Sequence, residues 1–588
     1  MNKYTIKLIS FIALTTGIAS GDTWYVDING GLNGDGLAWS TAFQDLAEAL
    51  EFAEFGDEIW VREGLHQPTI AAAGSADSGF FLSDGVGVYG GFDGTETLRS
   101  QRDPVAHVTI LSAGATTEVL HVLEGVDLGP STIIDGFTIM DGSGGDDGIG
   151  GVGGAGGGMM LINSSPTVVD CIIKENATRL GSGVYVQDGS PSFERCAFIG
   201  NQSVRSGEGG AIYSIVTNPG QTQTLDIVDC QFSFNSVRQG HWATGNGGAI
   251  YTSDDVMLTV QSSTFTSNFG WHNSTFGNPV AGGAIAVYGD GALIEDCTFT
   301  SNYSNLGAGI FSAGDIQINQ SFFVANRAVV ASTCGGFDCP GDIPDLFSGW
   351  GGAVFVSTFA LADINQCTIA SNWAADTGGG VVAHGSIRNS ILWGNLSPER
   401  CCGEDPLPIS RMQYEHTEVV EYSCIEGLLT PELGEDPPNP ANFPGSNEDD
   451  PQFRTTTLIS QGAGWLVSPV GDHRLISGSP AIDSGSNTLV PAGMLLDLDG
   501  LDRFIDDPGT PDTGPDAPSV VDMGAWEFQT PNPCPADITG DGSLDFFDVS
   551  AFLTAFGDQD PAADFTDDGS FDFFDVSTFL AAFSAGCP

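Results

Sequence analysis

The sequence GGAIYTSDDVMLTVQSSTFTSN, residues 247–268, is followed by a second copy of the same phrase, GGAIAVYGDGALIEDCTFTSN, residues 282–302. Eight copies occupy the chain from Gly158 to Asn395, each ending in an asparagine and each carrying a cysteine or serine five positions earlier. The asparagines are Asn176, Asn201, Asn235, Asn268, Asn302, Asn326, Asn372 and Asn395. The small residues are Cys171, Cys196, Cys230, Ser263, Cys297, Ser321, Cys367 and Ser390. The asparagines are 23 to 46 residues apart, so each copy is one structural unit and the extra residues leave as loops.

The composition of the repeat is that of strands and turns. Val, Ile, Phe, Thr and Tyr alternate with polar residues in short runs, and Gly, Asn, Ser and Asp interrupt these runs. Coils of about 22 to 34 residues, each holding two or three short strands, stack in parallel about 4.8 Å apart. The pattern therefore predicts an all-β fold, a parallel β-helix solenoid.

Stacking places equivalent residues of successive coils above one another. The asparagines are expected to form a hydrogen-bonded ladder at a turn where their own backbone is left-handed. The cysteine and serine column is predicted to be a buried row of free thiols and hydroxyls. Glycine pairs such as Gly247-Gly248 suit a corner that needs positive φ. A column of phenylalanines is expected to point inward, at Phe198, Phe232, Phe265, Phe299 and Phe323.

The combination of GGA[IV] with a closing FxxN motif resembles the repeat of right-handed parallel β-helix proteins, the pectate-lyase-like superfamily, and in particular its adhesin-like branch, the polymorphic outer-membrane proteins. The resemblance covers roughly Gly91 to Asn395 and is specific for the fold. It implies little about chemistry, because this fold carries lyases, hydrolases, adhesins and passive stalks alike.

Charge limits the partners of the chain. Its 588 residues include 17 Lys and Arg against 75 Asp and Glu, a formal net charge of -58. Such a surface repels nucleic acid and anionic membranes and attracts divalent cations. Adaptation to saline surroundings would explain much of this negative charge. Calcium binding would explain why the acidic residues cluster at particular places in the sequence.

The N-terminal residues predict export and a capped solenoid. Residues 1–20 combine lysines at positions 3 and 7 with a short apolar run and small residues, which is typical of a secretory signal peptide. No later segment reaches 18 consecutive apolar residues, so no transmembrane segment is expected. TWYVDINGG predicts the first strand. The sequence from Ser40 to Glu58 predicts an amphipathic helix, capped by Ser40 or Thr41, that covers the open end of the solenoid.

Three long insertions follow Asn235, Asn268 and Asn326. Because all three leave from the same corner, they are expected to stack into one loop wall. Aromatic residues beside polar groups could bind sugar rings or a protein there, or could fold back to seal the loops. Cys334 and Cys339 are expected to close a small disulfide loop. The predicted ligand-binding residues are Arg238, His241, Trp242, Trp271, His272 and Trp350.

Catalytic residues cannot be assigned from the repeat. A lyase of the pectate-lyase type needs calcium-holding carboxylates on successive coils and an Arg or Lys that takes a proton. No cation of the coils, Arg195 and Arg388 included, is expected beside a repeated carboxylate column. A hydrolase would show paired aspartates with His and Arg-x-Lys; Asp254-Asp255 is the nearest pair, and an ordinary turn explains it.

The C-terminal residues carry the sharpest chemical signal. DITGDGSLDFFD, from Asp537, recurs as DFTDDGSFDFFD, from Asp564. Oxygen-bearing residues at fixed places around a sixth-place glycine predict two calcium loops, each opening a helix. Val549, Phe552, Leu553 and Phe556 of the first helix are expected to face Val576, Phe579, Leu580 and Phe583 of the second. The predicted ligands are Asp537, Thr539, Asp541, Ser543, Asp545, Asp548, Asp564, Thr566, Asp568, Ser570, Asp572 and Asp575.

No helix precedes either loop, so the pair resembles a type I dockerin, the module by which secreted enzymes dock onto cohesins. The resemblance implies a calcium cofactor and a cohesin-like partner. Threonine at third place departs from the family's usual Asn or Asp. The tenth and eleventh places, which contact the cohesin in that family, are Phe546, Phe547, Phe573 and Phe574, and partial exposure is expected. Cys534 and Cys587 bracket the module and are expected to form a disulfide, whereas the pairing of Cys401, Cys402 and Cys424 stays open.

These features predict a secreted, extracellular or surface-associated modular protein that binds polysaccharide or another surface ligand and is tethered by its tail. A polysaccharide lyase or glycoside hydrolase, and a structural stalk, remain alternatives. The expected divisions are residues 1–20, signal peptide; 21–90, N-terminal cap and first coils; 91–395, right-handed parallel β-helix; 396–532, irregular final coils, cap and linker; and 533–588, dockerin-like calcium-binding module.

Overall fold

The computed structural model describes most of the chain. The described residues are 21–31, 33–68, 79–114, 120–143, 154–218, 220–238, 245–271, 279–289, 291–329, 349–397, 414–415, 419–429, 439–457, 470–516, 520–529, 535–539, 544–566 and 569–585.

Stacked coils form four sheets in which every pair of neighbouring strands is parallel. Sheet 1 has 13 strands, Thr23–Val26, Glu58–Arg62, Gly87–Phe92, Ile133–Asp135, Thr167–Val169, Ser192–Glu194, Gln223–Val228, Val256–Gln261, Gly291–Glu295, Ile316–Asn319, Leu361–Asn365, His384–Arg388 and Val419–Glu421. Sheet 2 has 12 strands, Gly64–His66, Thr109–Ser112, Phe137–Met140, Ile172–Lys174, Ala197–Ile199, Gln231–Ser233, Thr264–Thr266, Thr298–Thr300, Phe322–Val324, Thr368–Ala370, Ile391–Trp393 and Cys424–Ile425.

The other two sheets complete the circuit of each coil. Sheet 3 has 11 strands, Phe80–Phe81, Leu123–Val126, Met159–Ile162, Val184–Gln187, Ile212–Ile215, Ile250–Thr252, Ile285–Val287, Ile310–Ser312, Val354–Val356, Val381–Val382 and Tyr414–Glu415. Sheet 4 has seven strands, Ala177–Leu180, Gln202–Glu208, Ser236–Arg238, Phe269–Trp271, Tyr303–Ser304, Arg327–Ala328 and Trp373–Ala374. The chain passes through sheets 3, 1, 2 and 4 in turn, and this topology fits the predicted right-handed parallel β-helix.

The asparagine ladder is confirmed in hydrogen bonds. Each side-chain amide donates to the carboxamide oxygen of the next asparagine at 2.9–3.1 Å, as Asn201 does to Asn235. The same amide donates to a backbone carbonyl of the preceding coil, so the buried group is fully paired. The expected left-handed backbone lies one residue earlier, for example at Phe234 (φ 56°) and Ser267 (φ 55°), not at the asparagine itself.

Two further columns are confirmed inside the coils. The rings of Phe198, Phe232, Phe265, Phe299 and Phe323 stack with centroids 4.5–4.8 Å apart. The cysteine thiols of the repeat are free and buried. Serine can replace cysteine because either side chain accepts the backbone N–H of the preceding coil, as Ser263 does from Cys230 at 3.0 Å. Burial raises the pKa of Cys297 and Cys367 to about 12, so both thiols stay protonated.

The N-terminal helix is shorter than expected. Helix α1 is Leu46–Phe52, with Asp45 as its cap instead of Ser40 or Thr41, which lie in a separate 3₁₀ turn, Trp39–Thr41. Its buried face is Leu46, Ala49 and Leu50, and it packs on the first strands of sheets 1 and 3. Short 3₁₀ turns elsewhere are Arg99–Gln101, Pro440–Asn442, Asn487–Leu489 and Pro561–Ala563.

The residues that follow the last coil pack against the side of the β-helix and add no further coil to its end. Residues 470–516 and 520–529, here called the lateral segment, lie along the side of the β-helix. Phe322 of sheet 2 packs edge-on against Trp526, with ring centroids 4.8 Å apart, and Asn389 donates to the carbonyl of Ser486 at 2.9 Å. The fully buried Arg503 donates to Gln320 at 3.0 Å and to the carbonyl of Ala525 at 2.7 Å.

The tail contains two helices, α2 (Phe546–Asp558) and α3 (Phe573–Ala585). They meet through Phe552 and Phe579, which are buried and stacked with centroids 4.0 Å apart. Leu553 and Leu580, expected in this contact, are exposed on the opposite side.

Candidate functional site

A groove of about 710 Å³ runs across the outer face of sheet 1. Its apolar floor comes from Met257, Leu293 and Leu361, and its hydrogen-bonding groups from Thr259, Gln317, Asp363 and Ser386. Gly291 deepens the groove, because it occupies an outward position where the preceding coil carries the side chain of Met257. Phe359, on the turn two residues before Leu361, is 98% exposed. Sequence reasoning missed this groove, although glycine at an outward strand position is a readable signal.

Arg388, the one cation among the described residues that line this groove, is held by carboxylates. The Arg388 guanidinium donates to Asp363 at 2.7 Å and to Glu421 at 3.1 Å. Arg195, on an earlier coil, likewise pairs with Asp170 at 2.8 Å. Both arginines therefore pair with individual carboxylates, whereas the prediction concerned a repeated carboxylate column. An arginine held as a cation is a poor acceptor for a substrate proton.

The loop wall is described only in part. The backbones of Arg238 and Trp271 are neighbours in sheet 4, as expected, but their side chains, and all of His241, Trp242 and His272, lie outside the described residues. Trp350 is described, and its indole N–H donates to Asp376 at 2.8 Å while its ring packs on Phe355. Trp350 therefore seals the edge of the coils.

A stacked row of aromatic rings lies on the outer face of sheet 3 and at its edge. Tyr213 and Tyr251 have ring centroids 4.9 Å apart, and the row continues through Tyr288 at 5.3 Å and Phe311 at 5.2 Å. Tyr213 and Phe311 are buried. This row belongs to the packing of the coils.

A second groove, about 1200 Å³, separates sheet 2 from the lateral segment. Acidic residues line both of its walls, including Glu295 and Asp296 on the coils and Asp499 on the segment. Burial, with Glu295 nearby, raises the pKa of Asp296 to about 6. Arg474 bridges to Asp499 at 2.6 Å, and this hydrogen bond raises the pKa of the guanidinium. This groove, like the first, thus pairs its arginine with a carboxylate.

In both tail loops the aspartate at twelfth place accepts the same hydrogen bonds from the rest of the loop. Asp548, at twelfth place, is buried and accepts the backbone N–H of Asp545 at 2.9 Å and the hydroxyl of Thr539 at 2.9 Å. Asp575 repeats these contacts with Asp572 at 2.8 Å and Thr566 at 2.9 Å. The backbone N–H of Asp545 lowers the pKa of Asp548, so the carboxylate is ionised as a calcium ligand must be.

The other candidate ligands that are described in the tail also offer only oxygen atoms, which fits a calcium site. The hydroxyl of Thr539 also donates to Asp537 at 3.3 Å, so first-, third- and twelfth-place oxygens converge. Gly569, at sixth place, has a φ of 73°, as the sharp turn requires. Asp541, Ser543 and Asp568 lie outside the described residues.

The four predicted docking phenylalanines are exposed. Phe546 and Phe573 are each 75% exposed, and Phe547 and Phe574 are 66% and 65% exposed. They occupy equivalent positions at the starts of α2 and α3, where Asp545 and Asp572 accept backbone N–H groups at 2.7 Å. A protein surface rarely exposes such a cluster without a partner.

The predicted disulfides cannot be placed, because Cys534, Cys587, Cys334 and Cys339 lie outside the described residues. Cys401 and Cys402 also lie outside them. Cys424 is a buried free thiol whose Sγ donates to the carbonyl of Asp449 at 3.1 Å, and it takes no part in a disulfide. None of the described helices is long and apolar enough to span a membrane.

Comparison with known proteins yields limited similarities. Residues 195–215 match the Chlamydia polymorphic membrane protein repeat. This stretch of the chain contains Cys196, Asn201 and the glycine pair Gly209-Gly210. The crystal structure of pectate lyase Pel9A is similar over 87% of this chain and 98% of its own, with 11% identity and a TM-score of 0.37. A rhamnogalacturonan lyase is similar over 78% of this chain and 97% of its own, with 11% identity and a TM-score of 0.27. No curated protein matches the sequence. The geometry of the chain itself establishes the parallel β-helix.

Proposed function

We propose that this protein is a secreted, non-catalytic β-helix that binds extracellular polysaccharide or a surface ligand and docks onto a cohesin-like partner through a calcium-loaded tail. The carrying observation is the paired exposure of Phe546, Phe547, Phe573 and Phe574 beside two acidic loops. The similarity of residues 195–215 to a polymorphic membrane protein repeat supports an extracellular or surface location.

The docking surface follows from the repeat within the tail. The two Phe pairs are separated by an offset of 27 residues, and Leu553 and Leu580 extend each pair on the same offset. Calcium would fix the loops, and with them the direction in which α2 and α3 begin. An ordered apolar surface is the kind of patch that supplies most of the energy of a protein interface.

Replacing Phe546 and Phe573 with serine is expected to abolish calcium-dependent capture of the full chain by an immobilised type I cohesin module. Each lost aromatic anchor costs about 2 kcal/mol, roughly 30-fold in affinity. Capture should also disappear when calcium is chelated. The matched control is Phe359→Ser, which removes an exposed ring from the β-helix and should leave capture unchanged. Equal capture of both variants would contradict the docking role.

Ligand binding by the β-helix is assigned to the groove on sheet 1. Its apolar floor offers a surface for stacking, and its polar side chains offer hydrogen bonds. Phe359 adds an exposed ring on the turn just before the strand Leu361–Asn365. The net charge of -58 opposes anionic polymers, so neutral polysaccharides are the favoured class.

Retention of the full chain on neutral polysaccharide columns is expected to weaken about fivefold in Phe359→Ser, the effect of losing roughly 1 kcal/mol of ring contact. The double variant Phe546→Ser with Phe573→Ser serves as the control and should bind as the wild type does. If the two proteins elute together from every polysaccharide, Phe359 takes no part in ligand binding.

A polysaccharide lyase is the second candidate, because Arg388 and two carboxylates meet beside the same groove, although an arginine paired in this way is a poor base. Incubation with acidic and neutral polysaccharides in calcium, followed at about 235 nm for unsaturated products and by reducing-end assay, separates the two. Product that disappears in Arg388→Gln would establish catalysis. Binding without product supports the proposed function.

A further inference from the structure

A group of three carboxylates lies in the lateral segment, away from the tail loops. One oxygen each from Asp483, Asp506 and Asp512 lies within 4.8 Å of the other two. Ligands of a single calcium ion sit about 2.3 to 2.6 Å from it, so their oxygens are separated by up to about 5 Å. Among the described residues this is the one group of three metal-binding side chains so close together.

Asp483 gives a second, independent indication of a missing partner. Its side chain is fully buried. Oδ2 accepts the backbone N–H of Asp507 at 3.2 Å, whereas Oδ1 is buried with no hydrogen-bond partner among the described residues. A buried carboxylate oxygen without a donor is costly, and native structures supply a partner for nearly all such atoms.

The surroundings add negative charge. Asp506 and Asp512 each bring a carboxylate oxygen within 4.8 Å of an oxygen of the buried Asp483. Asp507 lies next to the group, but its carboxylate is occupied by the N–H of Gly509 and the hydroxyl of Thr510. Asp506 and Asp512 are exposed and make no side-chain hydrogen bond or ion pair to another described residue, so both are available to an ion.

We propose that Asp483, Asp506 and Asp512 bind a calcium ion that is independent of the tail loops. The donor set is purely carboxylate oxygen, which a hard divalent cation prefers and which excludes the nitrogen- and sulfur-seeking metals. Two ligands from one exposed loop and a third from a buried position form an irregular set, which calcium tolerates better than magnesium.

The ion would fasten the lateral segment to the β-helix. Asp483 follows Ile482, which packs with Ala370 and Ile391 of the coils in one buried cluster. Shortly after it, Ser486 is bound to Asn389 through two hydrogen bonds. Asp506 and Asp512 belong to the outer loop of the segment, so a shared ion would link that loop to the wall of the solenoid.

The test is the number of calcium ions bound by the full chain, measured by equilibrium dialysis in about 150 mM NaCl to screen exposed charge. Asp512→Asn and Asp506→Asn are each expected to bind about one ion fewer than the wild type. Asp502→Asn removes the same charge from an exposed position of the same segment and should bind as many ions as the wild type.

A tail variant separates this site from the proposed function. Asp548→Asn with Asp575→Asn should lose only the tail ions, and adding Asp512→Asn should remove about one more. Calcium should also raise the thermal midpoint of the tail variant but not that of the triple variant. Equal ion counts for Asp512→Asn, Asp506→Asn and Asp502→Asn would overturn the site whatever the tail does.

Discussion

Replacing Asn268 with alanine is expected to destabilise the β-helix by about 4 kcal/mol. Its carboxamide oxygen accepts both the backbone N–H of Asn235 at 3.1 Å and the amide of that side chain at 3.0 Å, and its own amide donates to Phe232 at 2.9 Å. Alanine would leave two donors and one acceptor buried without partners, at about 1 to 3 kcal/mol each before local relaxation. No other rung can move to replace them, because each is bound by its own coil.

Urea unfolding of the full chain, followed by far-ultraviolet circular dichroism, measures this loss. Asn319→Ala is the matched control, because Asn319 faces outward from sheet 1 and its change should cost no more than about 0.5 kcal/mol. Asn268→Asp tests the donor separately. It keeps the shape but removes the amide and buries a charge, so it should be at least as harmful as alanine. Near-equal midpoints for Asn268→Ala and Asn319→Ala would show that the ladder contributes little.

The ladder could be predicted from the sequence because each coil contacts only its neighbours. A column needs the same residue at the same place in every coil, so Asn, Cys or Ser, and Phe recur at constant offsets while the loops vary in length. The backbone detail could not be predicted. The left-handed residue before the asparagine is Phe234 in one coil and Ser267 in another, so residue type does not reveal it.

The lateral segment could not be predicted for the opposite reason. Its anchor joins Arg503 to Gln320, residues separated by 183 positions, and no repeat marks either of them. The groove between the segment and sheet 2 is consequently invisible in the sequence. The predicted N-terminal helix was longer than α1, because apolar residues continue past Phe52. In the structure the helix ends at Phe52, before the turn at Gly56 and the strand that follows.

Replacing Arg503 with methionine is expected to release the lateral segment, at a cost of about 3 to 5 kcal/mol. The guanidinium is fully buried and is bound by Gln320 of the coils and by the carbonyl of Ala525. It also faces the buried acids Asp522 and Glu527. Methionine would fill much of the volume but would leave these carboxylates without their compensating charge, and removing one partner of a buried charged group is strongly destabilising.

Limited proteolysis and hydrogen exchange can localise the effect. The lateral segment should lose protection while the coils of the asparagine ladder keep theirs, because no ladder contact is changed. Arg454→Met, which removes a half-exposed cation bound to Asp472 at 3.5 Å, is the control and should change little. Loss of protection in the coils and segment together would mean that the segment is needed to hold the solenoid itself.

The pH dependence of stability in Arg503→Met tests whether lost charge compensation causes its loss of stability. Burial raises the pKa of Asp522 and Glu527, and Arg503 opposes that rise. Without Arg503 the folded-state pKa values should rise further, so the folded chain binds more protons than the unfolded chain. Stability then falls as pH rises toward those folded values and recovers as the acids are protonated. The deficit of Arg503→Met should therefore be smaller at about pH 5 than at about pH 8, and a deficit independent of pH would assign the loss to packing alone.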